Sequence, residues 1–159
     1  MHEAQTLLEL RGVVKHFGGV AAVGGLSTAV RKGSVHGLIG PNGAGKTTVI
    51  NLITGLFHPT DGEILFEGNH LEARAPHDIA ALGISRTYQN VRLFSGMSAL
   101  EQVLTGCYLR RGSSLFASFA GLPKARRDWE DARAKSLALL ARVGMADKAD
   151  VLAETLSYG

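Results

Sequence analysis

A glycine-rich segment of the chain has the residue types and the spacing of a phosphate-binding loop. Residues 40–48 read GPNGAGKTT, and their first eight residues fit the pattern G-x-x-x-x-G-K-[ST]. Glycines let the backbone curl so that successive N–H groups point at phosphate oxygens. A helix that begins at Gly45 would direct its free N–H groups at the same anion. Lys46 adds a point charge for the β- and γ-phosphates, and the Thr47 hydroxyl is placed to bind magnesium.

The segments around this loop agree with the pattern, which a chain with 20 glycines in 159 residues could otherwise contain by chance. Residues 34–39 form a short apolar run that we expect to be a buried strand. Residues 46–54 have the length and the apolar content of a helix that stops at Gly55. A strand, a glycine-rich loop and a helix in this order are the context that a phosphate loop requires, so the sequence predicts phosphate binding.

The rest of the first half reads as short strands and one short helix. Residues 6–14 and 20–30 are expected to form an antiparallel pair, joined at Gly18 and Gly19. Further strands are predicted at 63–67 and 84–88. Pro76 is suited to begin a short helix that ends at Gly83, because proline is tolerated in a first turn.

From Ser98 onward the pattern is helical. Ser98 and Glu101 have the spacing of a capping box, and an apolar face follows them along the helix. Its members are Leu100, Val103, Leu104, Cys107 and Tyr108. A Gly/Ser-rich stretch, 112–121, separates this helix from a second one at about 124–143, which Gly144 closes.

Composition limits the other functions that the chain can have. A net charge of +3 without an evident basic face gives no argument for a nucleic-acid partner, and we expect none. The single cysteine, Cys107, forms no internal disulfide and is expected in the core. The longest apolar stretch, 49–57, is too short and too interrupted to span a bilayer. Two residues keep two interpretations each. Phe17 could stack on a nucleotide base or pack in the core, and Gln89 could contact a metal or water or be an ordinary strand-end residue.

The sequence resembles the ABC ATPases at four motifs. GPNGAGKTT is similar to the phosphate loop of this family, RTYQN at 86–90 to its Q-loop, LSYG at 156–159 to the start of its signature motif, and KHFGG at 15–19 to its A-loop. The resemblance implies that Phe17 stacks on adenine and that Gln89 contacts magnesium and water near a membrane partner. It implies that Ser157 and Gly159 reach the γ-phosphate held by a second subunit. It also implies that ATP and Mg²⁺ are bound by the loop residues Gly40, Pro41, Asn42, Gly43, Ala44, Gly45, Lys46, Thr47 and Thr48, with Thr47 and Gln89 as magnesium contacts.

Within that family, FGGVAAV, TGLFHPTDGEI and GISRTYQNVRLFSGMSALEQVL look like the ATPases of branched-chain amino acid importers; urea and short-chain amide importers have related ATPases. The resemblance implies two ATPase subunits that sandwich ATP head to tail, transmembrane permease subunits, and a cytoplasmic location at the inner face of the plasma membrane. The alternatives are a soluble ABC ATPase without a membrane partner, and a truncated nucleotide-binding fragment without turnover.

The expected fold class is α/β: a P-loop NTPase core of the ABC ATPase type with an antiparallel β-subdomain and an inserted helical subdomain. We assign 1–94 to the ATP-binding core, 95–155 to the helical subdomain and 156–159 to the start of the signature motif. In the family pattern, the Walker B carboxylates and the switch histidine lie after the position of Gly159. The expectation is therefore a C-terminally incomplete domain, with ATPase activity in the intact protein, no catalytic base in this chain and no turnover by these 159 residues alone.

Overall fold

A computed structural model describes residues 5–88, 92–107 and 123–157. The chain divides into two compact units, Met1–Thr87 and Tyr88–Gly159. The domain boundary that the sequence suggests at 94 stays a prediction. Within the described ranges, every helix is too short or too polar to cross a membrane.

The first unit is built on a four-stranded antiparallel sheet with the order β2-β1-β3-β4. Its two long strands, β1 (Thr6–Phe17) and β2 (Val20–Arg31), meet at the glycine pair Gly18-Gly19, as the sequence predicted. The strand predicted at 63–67 is confirmed as β3 (Asp61–Phe66), and it is followed by the two-residue strand β4 (Asn69–His70).

Two short helices accompany this sheet. Helix α1 (Lys46–Ile53) follows the glycine-rich loop, and α2 (Pro76–Ala81) begins at its proline, so both helices are confirmed with ends that differ by one or two residues. Apolar side chains of the sheet and of both helices form one core. Its buried members are Leu10, Val13, Val23, Val49, Leu52, Ile64, Leu71 and Ile79.

Two predicted strands are wrong. Residues 34–39 and 84–88 contain no strand, and the first of these runs is exposed rather than buried. Val35 and Ile39 are almost fully exposed. An apolar, β-rich run becomes a strand only by hydrogen bonding to a neighbouring strand. The described sheet contains only β1 to β4, and neither run joins it.

The second unit is helical. Helix α3 (Ala99–Gly106) begins with the predicted capping box, in which Ser98 and Glu101 each bond the other's backbone N–H group. The pKa of Glu101 lies below its ordinary value, mainly because of the hydrogen bond from the backbone N–H of Ser98 and, to a smaller extent, because of the hydrogen bond with the Ser98 hydroxyl. Helix α4 (Pro123–Arg142) packs on α3 through Leu100 and Leu140, and short 3₁₀ turns follow at Ala146–Lys148 and Ala153–Thr155.

Candidate functional site

The backbone of the glycine-rich loop requires glycine at two positions. Gly43 and Gly45 have φ angles of +85° and +81°, a region that residues with a Cβ atom rarely adopt. A Cβ atom at Gly45 would also overlap the backbone carbonyl of Ala22 in β2. Gly45 therefore lets the loop lie directly against the sheet while it forms the N-cap of α1.

The side chain of Lys46 bonds back to the first two residues of the loop. Its Nζ atom donates hydrogen bonds to the carbonyl oxygens of Gly40 at 2.8 Å and of Pro41 at 2.7 Å. The N–H of Ala44 donates to the same Pro41 oxygen at 3.2 Å. These bonds fold residues 40–44 back toward the ammonium group of Lys46, at the residue where α1 begins.

Phe17 lies at the end of β1 and keeps 44% of its surface exposed. Its ring meets the ring of Phe57 edge to face, with 5.2 Å between centroids, and the ammonium group of Lys15 lies over it at 5.2 Å. Lys15 also donates to the carbonyl oxygen of His58 at 2.7 Å. We call Lys15, Phe17 and Phe57 the aromatic cluster. Sequence reasoning missed Lys15 and Phe57, although the i, i+2 spacing of Lys15 and Phe17 places both on one face of β1.

The aromatic cluster and the loop approach the same end of β2. Phe17 pairs with Val20, the first residue of β2, and Ala22 in the same strand lies against Gly45. Phe17 and the loop therefore both lie beside the first three residues of β2.

Polar contacts connect His58, whose carbonyl oxygen accepts from Lys15 of the aromatic cluster, to Glu72. The Nδ1 atom of His58 lies 2.6 Å from the carbonyl oxygen of Glu72, so this nitrogen is the donor. Burial raises the pKa of the Glu72 carboxyl, but hydrogen bonds from the backbone N–H of Ile64, from its own N–H and from His70 outweigh burial. The pKa of Glu72 is therefore below its ordinary value.

One further contact joins α1 to the segment before Gln89. The side-chain oxygen of Asn51, a buried residue of α1, accepts a hydrogen bond from Arg86. Sequence reasoning missed this pair, since 35 positions separate the two residues. An asparagine within an apolar helix is the one sequence signal that could have drawn attention to it.

Comparisons with known proteins agree with this geometry. Residues 23–159 match the protein family described as ABC transporter. The chain belongs to this family. The high-affinity branched-chain amino acid transport ATP-binding proteins LivG of Escherichia coli (strain K12) and BraF of Pseudomonas aeruginosa are each 38% identical to it over 98% of its length. The chain spans 61% of the length of these relatives.

A solved structure of the family has the same fold. The ADP conformation of MJ1267, described as an ATP-binding cassette of an ABC transporter, superposes with a TM-score of 0.76 at 33% identity. The match covers 96% of this chain and 59% of that one. The predicted fold class, an α/β fold of the ABC ATPase type, is therefore confirmed.

The sequence-predicted site residues differ in how the structure places them. Residues 40–48 and Phe17 lie in the first unit, as described above. Ser157 is exposed after the last 3₁₀ turn of the second unit. Gln89 and Gly159 lie outside the described residues, as does Tyr108. Cys107 is partly buried, with its Sγ atom 3.5 Å from the Ser136 hydroxyl.

The loop suits a magnesium-bound nucleotide better than a metal ion alone. Among the described residues, no group of three or more His, Cys, Asp or Glu side chains could hold a metal. Magnesium that arrives with a nucleotide takes most of its ligands from phosphate and water, and only one or two from protein. The hydroxyl of Thr47, exposed at the start of α1, suits one of these protein ligands.

Proposed function

We propose that this chain is the nucleotide-binding part of the ATP-binding subunit of an ABC importer. The observation that supports this most is the phosphate loop. Gly45 lies against β2, the ammonium group of Lys46 bonds the carbonyl group of Gly40, and α1 begins at Lys46. An anion at this position would meet backbone N–H groups, a helix N-terminus and an ammonium group together.

In this proposal ATP binds with its phosphates in the loop and its base on Phe17. Lys15 lies over the Phe17 ring, which keeps 44% of its surface exposed, and the base stacks on the exposed part. Phe57 fixes the orientation of the ring by its edge contact. Residues Gly40 to Thr48 hold the phosphates, and Thr47 and Gln89 contact the magnesium ion. The ion would supply charge neutralisation at the β- and γ-phosphates.

The intact protein would hydrolyse ATP as a head-to-tail pair of subunits. In each pair, Ser157 and Gly159 of one subunit contact the γ-phosphate bound by the other. Hydrolysis also needs a residue that positions the attacking water molecule and a further protein ligand for the metal ion. No carboxylate of residues 1–159 is assigned to either task, so we expect this chain alone to bind Mg-ATP weakly and not to turn it over.

The transported solute is proposed from the relatives. LivG and BraF are described as high-affinity branched-chain amino acid transport ATP-binding proteins, and this chain is 38% identical to both. The proposal is that the subunit docks on transmembrane permease subunits at the inner face of the plasma membrane. ATP-driven closure of the pair would then shift the permease between its conformations.

Two measurements test the proposal. Titration of Mg-ATP into the natural full-length protein should give saturable binding, and an absence of binding would overturn the nucleotide assignment. Deletion of its gene should abolish uptake of radiolabelled leucine, with recovery by the wild-type gene and not by a Lys46→Ala variant. Uptake of labelled urea serves as the control. Loss of urea uptake with normal leucine uptake would reassign the importer.

A further inference from the structure

Asn51 occupies an unusual position in α1. It lies five residues after Lys46 in the helix that carries the phosphate loop, and only 9% of its surface is exposed. Asparagine is a poor helix former, and a buried amide without a partner destabilises the fold. A functional contact or a strong hydrogen bond must therefore accompany it.

Arg86 supplies that hydrogen bond. Its Nη1 atom donates to the Oδ1 atom of Asn51, which makes the bond charge-assisted. The backbone oxygen of Asn51 also accepts the N–H groups of Leu56 at 2.9 Å and Phe57 at 3.2 Å. Asn51 thus joins three parts of the first unit: the helix after the phosphate loop, the turn that ends this helix, and the segment of Arg86.

The segment 84–88 depends on side chains for its position. It forms no strand, so no ladder of backbone hydrogen bonds holds it to the sheet. Ile84 packs against the apolar core, and two residues later Arg86 bonds Asn51. Both anchors reach the helix that begins at the phosphate loop. Ile84 does so through the apolar core, which contains Val49 and Leu52, and Arg86 does so through its bond to Asn51.

We propose that Arg86 and Asn51 form a positioning link that makes residues 84–88 respond to nucleotide in the phosphate loop. The inference rests on the proposed nucleotide binding. A ligand that orders the start of α1 also orders Asn51, five residues further along the same helix. The link then orders the segment that leads to Gln89. Neither residue touches the nucleotide in this proposal, and both act through the elements that they join.

Hydrogen–deuterium exchange of the natural full-length protein tests the link. The probe is a non-hydrolysable ATP analogue with magnesium. In the wild type, we expect slower exchange in peptides that cover 40–54 and in peptides that cover 84–88. The second effect should be at least about tenfold, which is the lower end of what one charge-assisted hydrogen bond contributes to a local opening equilibrium. Asn51 is the primary site to change, because Arg86 takes part in further interactions.

Asn51→Leu should keep the nucleotide-dependent slowing at 40–54 and lose it at 84–88. Asn51→Asp keeps an oxygen that accepts the Arg86 hydrogen bond, so this variant should slow at 84–88 as the wild type does. If Asn51 served only as a buried neutral amide, the aspartate variant would not be expected to keep this response. Arg86→Gln should reproduce the leucine variant and provides the same test if that variant does not fold. Arg74→Gln is the matched control, since it removes a guanidinium group of the same unit whose hydrogen bond goes to the backbone oxygen of His70, at 2.8 Å, and not to Asn51.

The outcomes separate the link from the function on which it rests. Slowing at 84–88 that persists in Asn51→Leu or Arg86→Gln overturns the link and leaves nucleotide binding in place. The link is also overturned if the nucleotide slows exchange at 84–88 equally in the wild type, in every variant of Asn51 and Arg86, and in the Arg74→Gln control. A wild-type protein whose 40–54 peptides do not respond to the analogue refutes the proposed function itself.

Discussion

Replacement of Lys46 by alanine should raise the Kd for Mg-ATP by about 10- to 150-fold. Lys46 is the only cationic residue in the loop sequence GPNGAGKTT. In the free loop its ammonium group donates to the Gly40 and Pro41 oxygens at 2.8 and 2.7 Å. Phosphate binding exchanges these bonds to neutral carbonyl oxygens for bonds to charged phosphate oxygens, and we take the gain to be that of one charge-assisted hydrogen bond. Charge-assisted hydrogen bonds contribute roughly 1.5–3 kcal/mol, which corresponds to that range of Kd.

The assay is isothermal titration of Mg-ATP into the natural full-length protein and its variants. Lys32→Ala is the matched control, because Lys32 is an exposed lysine in the turn after β2, and its removal changes the net charge by the same amount. Thermal melting of each variant separates lost affinity from lost folding. A Kd of Lys46→Ala equal to that of Lys32→Ala would refute the view that the loop holds the phosphates through Lys46.

Three further predictions concern the aromatic cluster, the loop backbone and acid stability. Phe17→Leu should weaken ATP binding by about tenfold and leave inorganic triphosphate unaffected, since stacking on a base contributes about 1–3 kcal/mol; equal weakening of both ligands in titrations would make Phe17 a core residue. Gly45→Ala should lower the free energy of unfolding in urea by at least about 1–3 kcal/mol, because of its positive φ and the overlap with Ala22. Gly19→Ala, with open space around it, should be neutral, and equal effects of the two would contradict the steric argument. The lowered pKa of Glu72 stabilises the fold above its unfolded value of about 4.3, and this stabilisation is lost as pH falls through the lowered folded value. Glu72→Gln should therefore melt with a weaker dependence on pH below about 4.3 than the wild type, and an unchanged dependence would exclude this role.

Features that depend on neighbouring residues were predictable from the sequence. The β1–β2 pair follows from two β-rich runs separated by Gly18-Gly19. The start of α3 follows from the spacing of Ser98 and Glu101 alone. The phosphate loop is equally local, because Lys46 bonds carbonyl groups only five and six residues before it.

Features that depend on distant residues were not predictable. Residues 34–39 have the composition of a strand, but a strand exists only beside a partner, and β1 to β4 give them none. The same holds for 84–88, whose position comes from core packing of Ile84 and from the bond between Arg86 and Asn51. The edge contact of Phe57 with Phe17 likewise joins residues far apart in the chain.

The placement of the loop has a consequence for how nucleotide binding depends on the fold. The loop follows the exposed residues 34–39, where Val35 and Ile39 make almost no packing contacts that could hold it. Its form is instead fixed by Lys46 from within, by the close approach of Gly45 to Ala22, and by α1, whose Val49 and Leu52 are buried in the core. All of these contacts lie after residue 39 or in β2. Within these residues, the form of the loop is therefore determined by the sheet and by α1.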